Sequence, residues 1–133
     1  MRQLHFQPIA GKALDILDVI LHTPEVASCK KVFADVRMVC EELVVNVVDY
    51  AYPERTDGYL DVEIEKDEHA ITIRLKDGGV AFNPLEVEAP DITKPLEERQ
   101  IGGLGIFIML KKMDAVNYEY TDSENILTIK KWL

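Results

Sequence analysis

The spacing of the hydrophobic residues changes between residues 50 and 60, and this change decides the fold class. Before it, apolar residues recur every three or four positions, as on one face of a helix. After it, apolar and polar residues alternate over 60–65 and again over 71–76, which is typical of an antiparallel hairpin with one solvent-facing side. Helices followed by paired strands must bury their apolar faces against each other, so the pattern predicts a helical layer on a sheet.

The same pattern places the individual elements. A strand is predicted at residues 4–6, a helix at 11–22, and a longer helix that follows Ser28 as its N-cap and ends near 50–53. Further strands are predicted at 60–65, 71–76, 116–120 and 127–129, with a short apolar helix at 106–113. The predicted fold is an α+β two-layer sandwich, with about three helices on one face of a mostly antiparallel (mixed) sheet of about five strands.

Composition excludes several classes of function. The 133 residues suit a single domain, and the formal net charge of −9 would repel the phosphate backbone of nucleic acids. No apolar run reaches the length of about 18 residues that a membrane helix needs. The N-terminal residues lack the apolar core of a signal peptide, and Cys29 and Cys40 lie too far apart for a C-x-x-C site. We therefore expect one domain over 1–133, cytoplasmic, without direct contacts to nucleic acid or membrane.

Two polar side chains lie one helical turn apart within a run of valines. Residues four apart share a helix face, so the Glu42 carboxylate and the Asn46 carboxamide can converge on one ligand. The alternative is a solvated helix edge. Against it, both residues adjoin the apolar stripe formed by Val39, Leu43 and Val47. The helix alone leaves the two interpretations about equal.

Two glycine-containing segments are further candidates for ligand binding. Asp77 ends a predicted strand and precedes Gly78 and Gly79, where missing side chains would let a base or sugar approach the backbone. The second segment, GGLG at 102–105, opens a helix whose N-terminal amides can bind phosphate. Taken singly, each segment is more often a tight turn. Residues 84–100 contain three prolines and no clear period, and are predicted to form a long loop.

Taken in order, the three segments resemble the N, G1 and G2 boxes of the GHKL (Bergerat-fold) ATPases. The matching patterns are Glu42-x-x-x-Asn46, Asp77-x-Gly79-x-x-Phe82-x-Pro84 and Gly102-Gly103-Leu104-Gly105. The stretches EELVVNVVDYAY, DGGVAFNP and GGLGIFIMLKKMDAVNYEY are similar to the stand-alone anti-sigma-factor serine kinases of that superfamily. The resemblance covers nearly the whole chain. Ala81 departs from it where a second glycine is often found, and Tyr50 stands where many relatives have histidine.

The resemblance implies a role for each of these residues. Glu42 would be the general base that acts on the attacking hydroxyl, and Asn46 would coordinate the Mg2+ that bridges the ATP phosphates. Asp77 would accept a hydrogen bond from the adenine amino group, and Gly79 would let the base approach the chain. The other nucleotide-binding positions would be Phe82, the phosphate-binding glycines Gly102, Gly103 and Gly105, either Lys94 or Arg99 in an ATP lid over 85–101, and Asn125 on the last strand.

The function that the resemblance implies is that of a Mg-ATP-dependent protein serine/threonine kinase and anti-sigma regulatory factor. Such a protein would sequester a sigma factor, phosphorylate a STAS-type anti-anti-sigma antagonist, and be compatible with a homodimer. A nucleotide-gated module that binds its partner without phosphate transfer is the alternative, although a pure binder would not need Glu42. A third interpretation is the detached catalytic domain of a sensor histidine kinase. It is weaker, because no histidine of the chain lies in an acidic helical context that would suggest a phospho-acceptor. A two-layer domain with incidental glycines would not explain the order of the motifs.

Overall fold

A computed structural model of the chain describes residues 1–53, 58–86 and 111–133. Most of the predicted lid and of the predicted helix at 106–113 therefore lies outside the described residues. The same holds for five of the predicted nucleotide-binding residues, which are Lys94, Arg99, Gly102, Gly103 and Gly105.

Five strands form one sheet in the order β1-β2-β3-β5-β4, and every pairing between these described strands is antiparallel. The strands are β1 (Arg2–Phe6), β2 (Leu60–Lys66), β3 (Ala70–Asp77), β4 (Ala115–Thr121) and β5 (Glu124–Trp132). Both predicted hairpins are confirmed, as β2–β3 and β4–β5. The two hairpins join through β3 and β5, and this pairing places Asp77 directly opposite Asn125.

Three helices are described between β1 and β2. They are α1 (Ala13–Leu21), the single turn α2 (Pro24–Ala27) and α3 (Phe33–Asn46), and α3 continues into a π-helical turn over Val47–Ala51. The predicted cap at Ser28 is wrong, because Ser28 follows the end of α2 and α3 begins only at Phe33. Thr23 is the residue that caps a helix here, since its hydroxyl accepts a hydrogen bond from the amide of Val26 at 3.4 Å. Pro24 after it suits the first helical position, where no N–H is needed.

The core lies between the helices and one face of the sheet. Its fully buried side chains come from both layers and include Ile20, Val36, Val39, Val44, Val48, Leu60, Val62, Ile64, Ile73 and Ile129. Burying a side chain of this size contributes about 1.5–3 kcal/mol, so this contact is what holds the layers together. The opposite face of the sheet is polar, and there Glu63 pairs with both Arg74 and Lys76. Among the described helices, none is both long and apolar enough to cross a membrane.

Candidate functional site

A cavity of about 330 Å³ lies where the end of α3 meets the ends of β3 and β5. Its described walls are mostly apolar, and the carboxylate and carboxamide groups in them belong to Asn46, Asp77 and Asn125. Concave sites of this size, with a few polar groups on an apolar wall, are typical of binding sites for small molecules. The three polar residues were all predicted as site residues, and the fold brings them to one cavity although they are far apart in the sequence.

The last turns of α3 position Glu42 and Asn46. Asn46 lines the cavity, and Glu42 lies one turn earlier and is partly buried. Burial raises the pKa of Glu42, a hydrogen bond with Asn46 opposes that rise, and the charge of Glu41 adds to it. A raised pKa makes a carboxylate a better proton acceptor near neutral pH. Glu41 lies instead on the outer side of the helix, where it pairs with Arg37 at 3.6 Å.

The π-helical turn after α3 contacts the segment that follows β3. The carbonyl oxygen of Ala51 accepts a hydrogen bond from the amide of Val80 at 2.8 Å. A Cβ atom on Gly79 would lie 2.2 Å from that same carbonyl oxygen, so no other residue fits there unless the backbone moves. The close approach that Gly79 permits in this structure is therefore that of Ala51. The predicted approach of a base to Gly79 stays a prediction.

Asp77 is the last residue of β3 and is only 7% exposed. Its Oδ1 atom accepts hydrogen bonds from the amide of Gly79 and from Nδ2 of Asn125, both at 3.0 Å. Burial raises the pKa of Asp77, those two hydrogen bonds oppose the rise, and the nearby charge of Glu124 adds to it. Oδ2 makes no hydrogen bond within the described residues. As far as the described part of the chain goes, this cavity-lining carboxylate thus has one oxygen that can accept a hydrogen bond from a ligand.

Asn125 is 6% exposed and connects three parts of the site. Its Oδ1 accepts hydrogen bonds from the amide of Phe82 at 3.1 Å and from the hydroxyl of Tyr118. Its Nδ2 donates to Asp77 at 3.0 Å and to the carbonyl oxygen of Val80 at 2.9 Å. A carboxamide has two donor and two acceptor positions, and all four are used here. Asn125 therefore holds Asp77 in place, and its predicted contact with a nucleotide stays a prediction.

Apolar side chains form the rim of the cavity. Val80 and Phe82 line it, yet they are 56% and 50% exposed. Tyr50 lines it from the π-helical turn and is similarly exposed. Exposed aromatic and branched side chains at the mouth of a cavity can pack against a flat ring, and an aromatic face does so with a geometric preference. The rim therefore suits a planar ligand group in the cavity that Asp77 also lines.

Two tyrosines of the site were missed by the sequence-based reasoning. Tyr118 supports Asn125 through its hydroxyl, and the alternation in β4 could have indicated this, because Tyr118 shares the inner face with Val116. Tyr52 supports the backbone of Gly78, whose amide donates to the Tyr52 hydroxyl at 2.8 Å. The sequence carries no local signal for that contact, since the two residues meet only through the tertiary fold.

The family comparison covers nearly the whole chain. The model of the histidine kinase-like ATPase domain matches residues 11–131. The chain is 25% identical over 89 residues to the serine/threonine-protein kinase BtrW of Bordetella bronchiseptica, a match that covers 67% of this chain and 63% of the relative. It is 28% identical over 100 residues to the serine-protein kinase RsbW of Listeria monocytogenes, covering 72% and 64%. The matched part of the chain thus spans slightly less than two thirds of the length of these two relatives.

Further similarities concern an anti-sigma factor and the fold. The chain is 29% identical over 104 residues to the anti-sigma F factor of Clostridium novyi, which covers 73% of this chain and 68% of that protein. Its fold is similar to the catalytic domain of histidine kinase ThkA, with a TM-score of 0.53 at 14% identity, over 99% of this chain and 97% of the other. The Acinetobacter baumannii histidine kinase AdeS gives a TM-score of 0.54 at 13% identity, over 99% and 68%. At such low identity these likenesses show a shared fold.

Proposed function

Because the chain belongs to the family of histidine kinase-like ATPase domains, we propose that it binds Mg-ATP and acts as a protein serine/threonine kinase of the anti-sigma type. In this proposal it sequesters a sigma factor in the cytoplasm and phosphorylates a serine or threonine of a STAS-type antagonist. The names of its relatives support both parts, since they include serine-protein kinases and an anti-sigma F factor. Residues 1–133 would act as one domain, with 85–101 as a lid over the nucleotide.

The observation that carries the proposal is that Asn46 and Asp77 line one cavity. Oδ2 of Asp77, which has no hydrogen-bond partner among the described residues, suits the amino group of adenine, and Phe82 at the rim would pack against the base. Asn46 would then lie towards the phosphates. The glycines Gly102, Gly103 and Gly105, together with Lys94 or Arg99, would complete the phosphate site, on the strength of the sequence resemblance.

The residues near the end of α3 fit a magnesium ion. Mg2+ prefers oxygen ligands, keeps several waters, and is commonly held by one or two protein groups together with substrate phosphates. Asn46 offers a carboxamide oxygen at the wall of the cavity, with the Glu42 carboxylate one helical turn away. When bound, Mg2+ would neutralise charge on the phosphates. Asn46 is therefore the proposed ligand.

Glu42 is the proposed general base. In the transfer, the hydroxyl oxygen of the protein substrate forms a bond to the terminal phosphorus, the bond from that phosphorus to ADP breaks, and the hydroxyl proton passes to Glu42. The raised pKa of Glu42 suits it to take this proton. Little covalent chemistry is required of the protein, because phosphoryl transfer depends mainly on positioning and charge stabilisation.

The test compares Glu42→Gln with Glu41→Gln. Each substitution removes one carboxylate from neighbouring positions of α3, but only Glu42 faces Asn46. Glu42→Gln should retain ATP binding by calorimetry and lower phosphate transfer from radiolabelled ATP to a purified STAS-type antagonist by about 100-fold or more. Glu41→Gln should lower transfer far less, because it keeps the Glu42 carboxylate and removes only the smallest of the influences on its pKa, along with the ion pair to Arg37.

Two other outcomes would change the conclusion. Equal transfer by the parent and by Glu42→Gln would remove Glu42 from the role of base. ATP-dependent capture of a partner without any transfer by the parent would leave the nucleotide-gated binding module in place of the kinase.

A further inference from the structure

The hydroxyl of Tyr52 makes three hydrogen bonds to the backbone. It donates to the carbonyl oxygen of Tyr59 at 2.7 Å, and it accepts from the amides of Tyr59 at 3.1 Å and of Gly78 at 2.8 Å. A phenolic hydroxyl has one donor and two acceptor positions. All of them are used within the protein, so Tyr52 has no hydrogen-bonding position left for a ligand.

The ring of Tyr52 packs against Gly58, where the absence of a side chain leaves room for it. A Cβ atom on Gly58 would lie 2.5 Å from the ring carbon that bears the hydroxyl, so a side chain at position 58 would displace the ring. Tyr59 is also tied to the second hairpin, since its hydroxyl donates to Glu124 at 2.5 Å. The Tyr52 hydroxyl is therefore hydrogen-bonded to a residue, Tyr59, that is itself held in place by Glu124. This fixes the position from which the hydroxyl contacts Gly78.

Tyr52 also follows directly on the helical segment that carries Asn46. The π-helical turn ends at Ala51, whose carbonyl oxygen binds the amide of Val80 at 2.8 Å. Ala51 and Tyr52 thus hold the segment after Asp77 at two neighbouring points, Gly78 and Val80. Of these two contacts, the one at Gly78 depends on a side chain and can be removed by mutation.

We propose that Tyr52 is a positioning residue that fixes the Asp77 carboxylate relative to Asn46, and so sets the preference of the site for a 6-aminopurine. The inference rests on the proposed function. Asp77 lies next to Gly78, and its Oδ1 accepts a hydrogen bond from the amide of Gly79, so a shift of this segment changes one of the two hydrogen bonds that orient the carboxylate. A misdirected Oδ2 loses its hydrogen bond with the amino group, while contacts to the phosphates at Asn46 are unaffected.

The first test compares ATP with purine riboside triphosphate, which has a hydrogen atom in place of the 6-amino group. The parent should bind ATP about 10- to 150-fold more tightly, the range expected of one charge-assisted hydrogen bond. Tyr52→Phe keeps the ring and removes the hydroxyl. It should lower ATP affinity about tenfold and leave affinity for the analogue unchanged, because the analogue does not use Asp77.

Tyr120→Phe is the matched control, because Tyr120 is 48% exposed and its hydroxyl makes no hydrogen bond within the described residues. It should leave both affinities as in the parent. A Tyr52→Phe variant that loses affinity for both triphosphates equally would show a merely structural role and overturn the inference. A parent that binds neither triphosphate would instead overturn the proposed function.

The second test needs no nucleotide. Amide hydrogen exchange of Gly79 and Val80 reports on the segment through hydrogen bonds that Tyr52→Phe does not itself remove. Both amides should exchange about tenfold faster in Tyr52→Phe, while the amide of Ile73 in the middle of β3 keeps its protection. Unchanged exchange at Gly79 and Val80 would overturn the inference whether or not the protein binds ATP.

Discussion

Asp77 is a buried carboxylate that is held by neutral donors. Within residues 1–53, 58–86 and 111–133, its hydrogen bonds come from an amide and from a carboxamide, and the nearby charge that affects its pKa, that of Glu124, is negative. Burying a carboxylate without a cation costs free energy, which is why the pKa of Asp77 is raised. A residue that lowers stability in this way is better explained by ligand binding than by folding.

Asp77→Asn should separate binding from stability. At neutral pH the variant should unfold at a higher temperature than the parent, because it keeps Oδ1 and its donors while removing the buried charge. ATP affinity should fall about 10- to 150-fold in calorimetry, since Asn presents an N–H towards the amino group of adenine. Unchanged ATP affinity would contradict the role of Asp77.

The difference in stability between the parent and Asp77→Asn should also depend on pH. The folded-state pKa of Asp77 lies above its unfolded value, so protonation favours the folded parent. The stability advantage of Asp77→Asn should therefore be complete above the raised pKa. It should disappear as the pH falls through that pKa to the unfolded value, as thermal melts at several pH values would show. An advantage that does not change with pH would mean that the buried charge is not its cause.

At the scale of elements, the site depends on how the π-helical turn Val47–Ala51 meets the end of β3. The turn extends α3 beyond Asn46 and brings the Ala51 carbonyl oxygen against Gly79 and Val80. Helical periodicity predicted that the helix would end near residues 50–53, and that prediction is confirmed. The partner of the turn was not predictable, because the contact joins segments about 30 residues apart and no local pattern encodes it.

Gly79→Ala and Gly78→Ala should lower the free energy of unfolding by different amounts. At position 79 the new methyl group would meet the Ala51 carbonyl oxygen at 2.2 Å, and the backbone would have to move. At position 78 the nearest atom is a ring carbon of Tyr59 at 2.9 Å, so the overlap is smaller and involves a side chain instead of the backbone. Gly79→Ala should therefore lower the free energy of unfolding by about 1–3 kcal/mol in urea titrations, and Gly78→Ala by less. Equal losses would show that the contact with Ala51 is not a constraint.

For the whole molecule, the pairing of β3 with β5 is the decisive long-range contact. It places Asn125 opposite Asp77 and closes the cavity whose other wall is the end of α3. A ligand in that cavity would contact all three elements at once. Binding should therefore stabilise the fold as a unit, because a ligand that binds only the folded state shifts the unfolding equilibrium.

ATP with Mg2+ should raise the melting temperature of the protein. At about 100 times the dissociation constant the gain in free energy of unfolding is about 2.7 kcal/mol, and a chelator should reduce it by removing the metal. Asn46→Ala should keep the gain seen with ATP and chelator, and lose the additional gain that Mg2+ gives. Asn117→Ala, an exposed residue of β4, is the control and should behave as the parent. A Mg2+ effect that persists in Asn46→Ala would exclude this residue as the ligand.

Local patterns were sufficient for the strands, the two hairpins, the first helix, and the helix face shared by Glu42 and Asn46, because periodicity and turn residues act over a few positions. The start of α3 was missed, since Ser28 looks like a cap while Thr23 and Pro24 supply one for a separate turn. Three features of the site arise only when β3, β5 and the π-helical turn meet. They are the use of all four hydrogen-bonding positions of Asn125, the three hydrogen bonds of Tyr52 and the contact of Gly79 with Ala51. Such contacts depend on the packing of distant segments, which no short stretch of sequence contains.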